Sequence, residues 1–495
     1  MPGSPAVSLS FTGAAMDRAG RVSRTTLLTS AAVLAVVLGT LGPGGGVGFG
    51  TPLVSTEPRP VADAGVDLPD LADLPDIVVI LTDDQRVETL AGMPRVQSLL
   101  VDQGTTFSRA MVPTSLCCPS RASMLTGSYA HDTGVWTNVR PDGGWWAFQA
   151  GGNEESTVAV ALQQQGYRTA LVGKYFNTFG LYAPPGYRPP GWDEFLAFTT
   201  MDRSGDYYDY TLSDGSVHGS KPRDYSTDVL ATAATGVIRA TPATQPLFLW
   251  YAPYAPHGPF KPAPRHRHAA VDLEAKPGDE DVSTKPQWVQ ALDPPKDETV
   301  ARAARRQQQA LMAVDEAVAG IVGALADTGR LSDTLIVFAS DNGLLWGEHG
   351  MLDKNVPYTH ATAVPLVLRW DGHVGAGQVD DRMALNIDVT ATLAAAGLTS
   401  MHTDGSDLLT PARRDGFVLE AAADPQQQRP PYCGWREADW TFVHYSTGEE
   451  ELYSLTDDPG EVHNLATVPK ARDQLDAMRA RARAACMPEP PDFDW

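Results

Sequence analysis

Two short acidic segments, TDDQ at 82–85 and SDNG at 340–343, each place oxygen-bearing side chains next to one another. Their candidate metal ligands are Asp83, Asp84, Asp341 and Asn342. Carboxylate and amide oxygens without a thiol or an imidazole suit a hard cation, Ca²⁺ or Mg²⁺, better than zinc. Asp and Asn are also favoured in helix caps and turns, which is the alternative for either segment alone. Since both segments follow a buried-strand pattern, we interpret them together as a divalent cation site.

The segment LCCPSRASMLTG at 116–127 places two adjacent cysteines before a proline and an arginine. Pro119 is suited to the first position of a helix, so Cys117 and Cys118 should lie at or just before the helix N-terminus. Free amide groups and the helix dipole favour an anion there, and Arg121 adds a positive fork one turn later. Nearby cations also lower the pKa of a thiol. The segment therefore indicates a nucleophile facing a sulfate or phosphate ester, with two buried structural cysteines as the alternative.

The elements that must position these residues show the pattern of a layered α/β protein. Apolar runs at 77–81, 246–251 and 334–340 have the length of strands buried on both faces of a largely parallel sheet. A helix is predicted over about 298–327, where apolar residues recur at steps of three and four. The acidic segments directly follow the first and third runs, and His257 closely follows the second. Because ligands bind outside the carboxyl ends of strands in such sheets, these groups should converge on one crevice.

After about residue 400 the sequence changes character. WTFVHYS and EEELYSL have the pattern of a hairpin, and an amphipathic helix is predicted over 470–486. We therefore expect a catalytic domain at 76–400 and a smaller C-terminal subdomain at 401–495, built from a small antiparallel sheet and a helix.

The N-terminus predicts export. An uncharged apolar run at 26–42 follows three arginines, and its length is nearer to a signal sequence than to a membrane span. Residues 1–42 are interpreted as a signal peptide or an N-terminal anchor, and 43–75 as a flexible Gly/Pro linker. The protein is thus expected to be secreted or anchored outside the membrane, where Cys433 and Cys486 are the candidate disulfide.

The charge balance bounds the partners. The 495 residues contain 38 Lys and Arg against 60 Asp and Glu, a formal net charge of -22. Such a chain repels phosphate backbones and anionic membrane surfaces, which argues against nucleic-acid binding. It should also steer other polyanions poorly.

The cysteine segment resembles the signature of the type I sulfatases, Cys-x-Pro-Ser-Arg followed by x-x-x-Leu-Thr-Gly, at every defined position. GYRTALVGKY at 166–175 resembles the second signature of that family, and DIVVILTDDQ, APHGPF, SDNG, GEHG and LYSLTDDPGEVHNLA match family segments in the expected order. The resemblance covers about 76–486. It implies an alkaline-phosphatase-like fold, in which helices sandwich a mixed, mostly parallel sheet, with a smaller C-terminal α+β subdomain.

The resemblance also assigns different roles to the two adjacent cysteines. In sulfatases the first cysteine of the signature, here Cys117, is oxidised to Cα-formylglycine by a formylglycine-generating enzyme, and Cys118 is a bystander. One hydroxyl of the hydrated aldehyde attacks sulfur, and the second loses its proton so that the aldehyde reforms and sulfate leaves. This is covalent catalysis by a nucleophile that releases its own product.

Further roles follow from the matching motifs. The Ca²⁺ ligands are implied to be the four acidic-segment residues together with position 117. Arg121, Lys174 and Lys354 resemble the cations that hold formylglycine and sulfate. His131 in GSYAHDTG matches the histidine beside the formylglycine, the expected base for sulfate elimination, and His257 in APHGPF matches the acid that protonates the leaving alcohol.

The chain departs from the family pattern at two places. Many relatives have a glutamate where this chain has Thr359, which leaves the fine positioning of Lys354 open. Phe176 replaces a histidine that is common in arylsulfatases, and Asn177 follows it. This variation resembles N-acetylglucosamine-6-sulfatases and extracellular glucosamine sulfatases.

The sequence therefore predicts a Ca²⁺-dependent sulfuric ester hydrolase acting on a sulfated carbohydrate or an aryl sulfate. A phosphodiesterase or phosphonate monoester hydrolase of the same superfamily is the first alternative. The second is a non-catalytic binding protein, which the complete set of site residues disfavours.

Overall fold

A computed structural model of the chain describes residues 71–199, 207–273, 275 and 281–495. The predicted signal or anchor segment at 1–42 and nearly all of the predicted linker at 43–75 lie outside these residues. The described residues belong to one compact unit.

The central element is an eight-stranded sheet with the order β10-β2-β9-β8-β1-β7-β3-β4. Every neighbouring pair is parallel except those of β9, which runs antiparallel to both β2 and β8. The predicted mixed, mostly parallel sheet is thus confirmed. The strands of the described residues are β1 (Asp76–Thr82), β2 (Thr105–Met111), β3 (Arg168–Gly173), β4 (Glu194–Ala197), β5 (Tyr210–Thr211), β6 (Val217–His218), β7 (Leu247–Ala252), β8 (Thr334–Ser340), β9 (Leu366–Arg369), β10 (Gln378–Leu385), β11 (Gly416–Ala421), β12 (Tyr432–Glu437), β13 (Trp440–Tyr445) and β14 (Glu450–Ser454).

Helices cover both faces of this sheet. Alternate side chains of β1 enter two separate apolar cores, with Ile77 and Val79 on one face and Val78 and Ile80 on the other. The helices of the described residues are α1 (Pro94–Val96), α2 (Cys117–Thr126), α3 (Ala130–Thr133), α4 (Gly144–Ala150), α5 (Val158–Gln164), α6 (Phe179–Tyr182), α7 (Ser226–Ala240), α8 (Gln287–Gln290), α9 (Asp297–Asp327), α10 (Thr359–Thr362), α11 (Asn386–Ala396) and α12 (Arg472–Ala485). Helices α2, α5 and α11 contribute to the first core, and α7 and α9 to the second. Continuous apolar strands fit this arrangement because both of their faces are covered.

Helix α9 confirms the predicted helix at about 298–327. It is long and apolar enough to span a bilayer, but most of its apolar stretch is buried in the second core. It is therefore a core helix, and its inner face packs against the sheet.

The C-terminal region forms a second sheet with the order β11-β12-β13-β14, antiparallel throughout. The predicted hairpin is β13 with β14, and α12 packs on one face of the sheet through Leu475 and Met478. The other face shares a core with the larger sheet, in which Phe417 and Leu419 lie with Leu385. Cys433 and Cys486 form the expected disulfide.

One local prediction was wrong. Helix α2 begins at Cys117, so Pro119 is its third residue instead of its first. A proline in the first turn is tolerated wherever its missing N–H would have had no partner within the helix. Cys117 is consequently the first helical residue and lies at the N-terminus itself.

Candidate active site

The acidic segments meet at the carboxyl edge of the large sheet. β1 and β8 are parallel neighbours in register, with Thr82 beside Ser340, so the residues that follow them emerge side by side. The Asp84 backbone N–H donates to Asp341 Oδ1 at 3.1 Å, and Asn342 Nδ2 donates to Asp84 Oδ1 at 2.7 Å. The predicted convergence of these groups is therefore observed.

Asp84 adopts a left-handed backbone conformation with φ of 65°. Successive side chains of an extended strand point to opposite sides, so a left-handed turn is one way to direct two adjacent carboxylates into one site. Such conformations in residues other than glycine are uncommon and concentrate where function requires them. Gln307 of α9 supports this turn, since its Nε2 donates to the Asp84 carbonyl at 2.8 Å.

The thiol of Cys117 lies within the acidic cluster. It is fully buried, 3.6 Å from Asp83 Oδ1 and 2.9 Å from Lys354 Nζ. The first turn of α2 thus presents residue 117 to the carboxylates and to a cation at the same time.

Three cationic side chains enclose the cluster. Lys174, directly after β3, contacts the Asp83 carboxylate, and Lys354 contacts that of Asp84. Arg121 Nε donates to Asp341 Oδ2 at 2.8 Å, and its Nη1 donates to the Lys174 carbonyl at 3.0 Å. Arg121 Nη2 is buried, makes no hydrogen bond among the described residues and lies 3.5 Å from Asp83 Oδ2. The site therefore retains a buried donor that is free for an anion.

Proximity of opposite charges sets the protonation of these groups. Burial raises the pKa of the Asp83 and Asp84 carboxyls, but Lys174 and Lys354 outweigh it, so both pKa values lie below the ordinary one. Burial lowers the pKa of the two lysines, but the carboxylates raise it above the usual value. The carboxylates are thus ionised and the lysines protonated at neutral pH.

His257 faces the same carboxylates from the loop after β7. Its Nδ1 lies 2.7 Å from the Gly258 carbonyl, which fixes Nδ1 as the protonated nitrogen, and its Nε2 lies 3.5 Å from Asp84 Oδ2. Burial disfavours the charged ring, but Asp84 and Asp83 raise the pKa of His257 to about 9. Its side chain keeps 26% exposure, so Nε2 is placed to meet a group entering from solvent.

The structure does not bring His131 into contact with Cys117. His131 Nδ1 lies 2.7 Å from Glu420 Oε2, Nε2 lies 3.3 Å from Asp132 Oδ2, and the ring stacks on Tyr129. Among the described residues no hydrogen bond or ion pair joins His131 to Cys117. Its role as the base for sulfate elimination stays a prediction.

Among the described residues no hydrogen bond joins Thr359 to Lys354. Its Oγ1 accepts from Arg436 Nη1 and Nη2, each at 3.0 Å, and its backbone N–H donates to Glu461 Oε2 at 2.7 Å. A carboxylate thus does lie beside position 359, supplied by Glu461 from the C-terminal region. Lys354 is positioned by Asp84 and Asn342 instead.

Cys118 points away from the acidic cluster into the apolar core. Its Sγ accepts from the Asn177 N–H at 3.3 Å, and burial raises the pKa of the Cys118 thiol to about 12. Its own N–H donates to Asn138 Oδ1 at 2.9 Å. The high pKa makes this thiol unreactive, which agrees with a bystander.

Two supporting residues were not predicted from the sequence. Asn138 lies in a loop with no motif, and only its contact with Cys118 reveals it. Gln307 had a usable signal, since it precedes Leu311 by four residues on the apolar face of α9 and is buried there. A polar residue on a buried helical face requires a partner, and here the partners are Asp84 and Trp346.

The donor set fits a hard divalent cation. Ligand atoms of Asp83, Asp84, Cys117 and His257 all lie within 4.8 Å of one another, and Asp341 and Asn342 contact Asp84 directly. Oxygen donors predominate, as Ca²⁺ and Mg²⁺ require. Such a cluster, with buried cations around it, can bind a tetrahedral oxyanion group, such as a sulfate or phosphate ester. The cations can also neutralise negative charge that develops on its oxygens.

Comparison with known proteins identifies relatives of the whole described fold. A family model described as Sulfatase matches residues 75–397, and one described as N-sulphoglucosamine sulphohydrolase, C-terminal, matches 347–485. The chain is similar to the N-acetylglucosamine-6-sulfatase of Homo sapiens, with 34% identity over 456 residues that cover 79% of this chain and 81% of the relative. It is also similar to the extracellular sulfatase SULF-1 homolog of Drosophila melanogaster, with 32% identity covering 68% of this chain and 31% of the relative.

Solved structures share the fold. One, a complex with its substrate D-glucosamine-2-N,6-O-disulfate, matches with a TM-score of 0.73 and 21% identity, covering 83% of this chain and 97% of that chain. The phosphonate monoester hydrolase of Silicibacter pomeroyi matches with a TM-score of 0.68 and 22% identity, covering 83% of this chain and 94% of that chain. At these identities the likeness concerns the fold, and it does not separate sulfate from phosphonate chemistry.

Proposed function

Because the chain belongs to the sulfatase family, we propose that it hydrolyses the sulfate ester of a sugar through a formylglycine made from Cys117, beside a bound Ca²⁺. Members of this family hydrolyse sulfate esters, and this chain is an enzyme of that class. The nucleophile, the cation and the sugar are the parts that we propose.

The observation that carries the proposal is the position of residue 117. Cys117 Sγ lies between Lys354 Nζ at 2.9 Å and Asp83 Oδ1 at 3.6 Å. A side chain placed there meets both the candidate metal donors and a cation, whereas the Cys118 thiol points into the apolar core. An aldehyde at position 117, supplied by a formylglycine-generating enzyme, would provide in its hydrated form the hydroxyl that attacks sulfur.

Asp83, Asp84, Asp341 and Asn342 would hold the cation. When bound, Ca²⁺ supplies positive charge against the oxygens of the sulfate group. Without a cation, Lys174 and Lys354 neutralise the two carboxylates that follow β1. With a cation bound to these carboxylates, the two ammonium groups would be available to residue 117, which Lys354 already contacts, and to the sulfate.

The remaining side chains bind the sulfate group and move protons. Arg121 Nη2 offers a buried donor with no hydrogen-bond partner among the described residues, suited to a sulfate oxygen. His257 holds its Nδ1 proton against the Gly258 carbonyl, so Nε2 is the nitrogen that delivers a proton to the leaving alcohol. A protonated imidazole is the form that such a donor needs.

The sugar follows from the relatives. The human relative is named N-acetylglucosamine-6-sulfatase, and the substrate in the solved complex is a 6-O-sulfated glucosamine. Asn177, which follows the GKYF segment, supports the same group of sulfatases. We therefore assign a 6-O-sulfated glucosamine as the substrate class, ahead of a simple aryl sulfate.

We also assign the protein to the outside of the cell, as a secreted or membrane-anchored enzyme. The apolar run at 26–42, the disulfide between Cys433 and Cys486, and relatives named extracellular sulfatases support this location. An oxidising compartment is where such a disulfide persists.

The test compares kcat/KM for N-acetylglucosamine 6-sulfate, 4-nitrophenyl sulfate, 4-nitrophenyl phosphate and a phenyl phosphonate ester. The enzyme should be produced with a formylglycine-generating enzyme and assayed with Ca²⁺ and with a chelator. We expect the sugar sulfate to be hydrolysed, the phosphate and phosphonate to be poorer than the aryl sulfate, and the chelator to abolish turnover. A higher kcat/KM for the phosphate or the phosphonate would overturn the assignment in favour of the alternative hydrolase.

A further inference from the structure

An exposed arginine, Arg140, stacks on two aromatic rings, one from α4 and one from α6. Arg140 Cζ lies 3.7 Å from the centroid of Trp146 and 5.1 Å from that of Tyr182, and the two ring centroids are 6.1 Å apart. We call these three residues the Arg140 platform. The rings fix the guanidinium on the surface without consuming its N–H donors.

The guanidinium has no acidic partner in the part of the chain that the structure describes, where it makes neither a hydrogen bond nor an ion pair. The exposed Arg265, by contrast, is paired with Asp228 and Glu316. Among the described residues Arg140 thus rests on aromatic rings and has no carboxylate partner, although the chain has a net charge of -22. Its five donors remain available to an anion from solvent.

Exposed apolar side chains surround the Arg140 platform. Val139 is 57% exposed and Leu181 is 72% exposed, while Tyr182 of the platform itself is 38% exposed. Exposed apolar side chains that lie together with polar groups mark binding surfaces, whereas single exposed apolar residues are common on any protein. Aromatic rings and aliphatic side chains suit the apolar C–H face of a sugar ring, and the guanidinium suits a negatively charged substituent.

Two asparagines tie this surface to Cys118, the residue next to the proposed nucleophile. Asn138, two residues before Arg140, accepts from the Cys118 N–H through Oδ1 at 2.9 Å. Asn177, two residues before α6, donates its N–H to Cys118 Sγ at 3.3 Å, and its carbonyl accepts from the Trp145 N–H at 2.9 Å. Because two peptide units span at most about 7 Å, Arg140 is held near the position next to Cys117. This proximity is the basis for placing at the platform a sugar linked to the one that carries the reacting sulfate.

We propose that the Arg140 platform is a second sugar subsite, which binds an anionic sugar residue adjacent to the sulfated one. This inference rests on the proposed function and adds the preference for an acidic neighbour, a carboxylate or a second sulfate. The preference is local, since the net charge of -22 opposes long-range attraction of polyanions. The enzyme should therefore favour short acidic oligosaccharides over neutral ones.

Binding by the Cys117→Ala variant measures this directly, because substrate is not consumed. The probes are N-acetylglucosamine 6-sulfate alone, the same sugar linked to glucuronic acid, and the same sugar linked to glucose. We expect the acidic disaccharide to bind about tenfold more tightly than the neutral one, as a single charge-assisted contact predicts. Measuring the Kd of a disaccharide whose second sugar carries a sulfate in place of the uronic acid shows whether the platform prefers a sulfate or a carboxylate.

A further Arg140→Ala substitution should remove that tenfold preference and leave the Kd of the monosaccharide unchanged, with Arg140→Lys intermediate. Arg472→Ala on α12 is the matched control, since it removes the same charge from an exposed arginine of the C-terminal helix. Equal affinity for acidic and neutral disaccharides, or equal weakening of all three probes by Arg140→Ala, would overturn the inference. If the active enzyme hydrolyses no sugar sulfate while the preference is present, the proposed function fails and the subsite stands.

Discussion

Lys354 Nζ lies 2.9 Å from Cys117 Sγ, although 237 positions separate the two residues in the chain. The same ammonium contacts the Asp84 carboxylate, so one cation links residue 117 to the acidic cluster. This contact joins the first turn of α2 to a loop that follows β8, and no local sequence signal specifies it.

Replacing Lys354 should remove a charge that acts on the reacting group. We expect Lys354→Ala to lower kcat by about 10²–10³, the usual effect of losing one donor that stabilises developing negative charge. Lys354→Arg keeps the charge but changes its shape, and should recover part of the loss. Steady-state kinetics on the sugar sulfate checks this, and a variant with unchanged kcat would show that the contact is incidental.

Replacing His257 should matter most when the leaving group is poor. His257→Gln should lower kcat by about 10²–10⁴ for the sugar sulfate, because its alcohol needs a proton as it leaves. For 4-nitrophenyl sulfate the loss should be much smaller, since nitrophenolate leaves without one. Equal losses on both substrates would assign His257 to binding instead of to proton transfer.

His131 should make stability depend on pH. Burial disfavours its charged ring, but Glu420 outweighs this and raises the pKa of His131 in the folded protein. A raised pKa adds stability that is fully present below the unfolded value of about 6.5 and is lost as pH rises through the folded value.

The free energy of unfolding of His131→Asn, measured by urea titration, should therefore fall furthest below that of the native protein at acidic pH. The difference should shrink above neutrality, and a gap that is constant between pH 5 and 9 would contradict the assignment. The kcat of this variant separately tests the predicted role of His131 in sulfate elimination.

Thr359 should affect stability and leave catalysis intact. Thr359→Val removes the oxygen that accepts two N–H groups of the buried Arg436, which should cost about 1–3 kcal/mol. Thr359→Ser keeps the hydroxyl and serves as the control. Thermal unfolding and kcat of both variants test whether Thr359 acts on stability alone. A lower kcat with an unchanged unfolding temperature would mean that position 359 supports Lys354.

The sequence predicted the parts of the fold that depend on short-range patterns. β1, β7 and β8 were predicted because a strand covered on both faces is continuously apolar, and α9 because its apolar spacing extends over many turns. The reversed strand β9 was not predicted, because its direction depends on pairing with β2 and β8.

In the candidate site, too, short-range patterns predicted some features, and contacts between distant segments determine the others. Carboxylates directly after β1 and β8 were predicted to meet because parallel strands end at one edge. The contacts of Asn138 with Cys118 and of Glu461 with Thr359 bring together loops that are distant in the chain, which no periodicity records. The start of α2 was also misplaced, since Pro119 is tolerated at more than one position of a first turn.

The most direct test of the account is the mass of the tryptic peptide that follows Arg109 and ends at Arg121, from protein produced with a formylglycine-generating enzyme. We predict that Cys117 loses its sulfur and two hydrogens and gains one oxygen, that Cys118 keeps its thiol, and that sulfatase activity rises in proportion to the converted fraction. Full activity in protein whose residue 117 is still an intact cysteine, or conversion at Cys118 in its place, would contradict it.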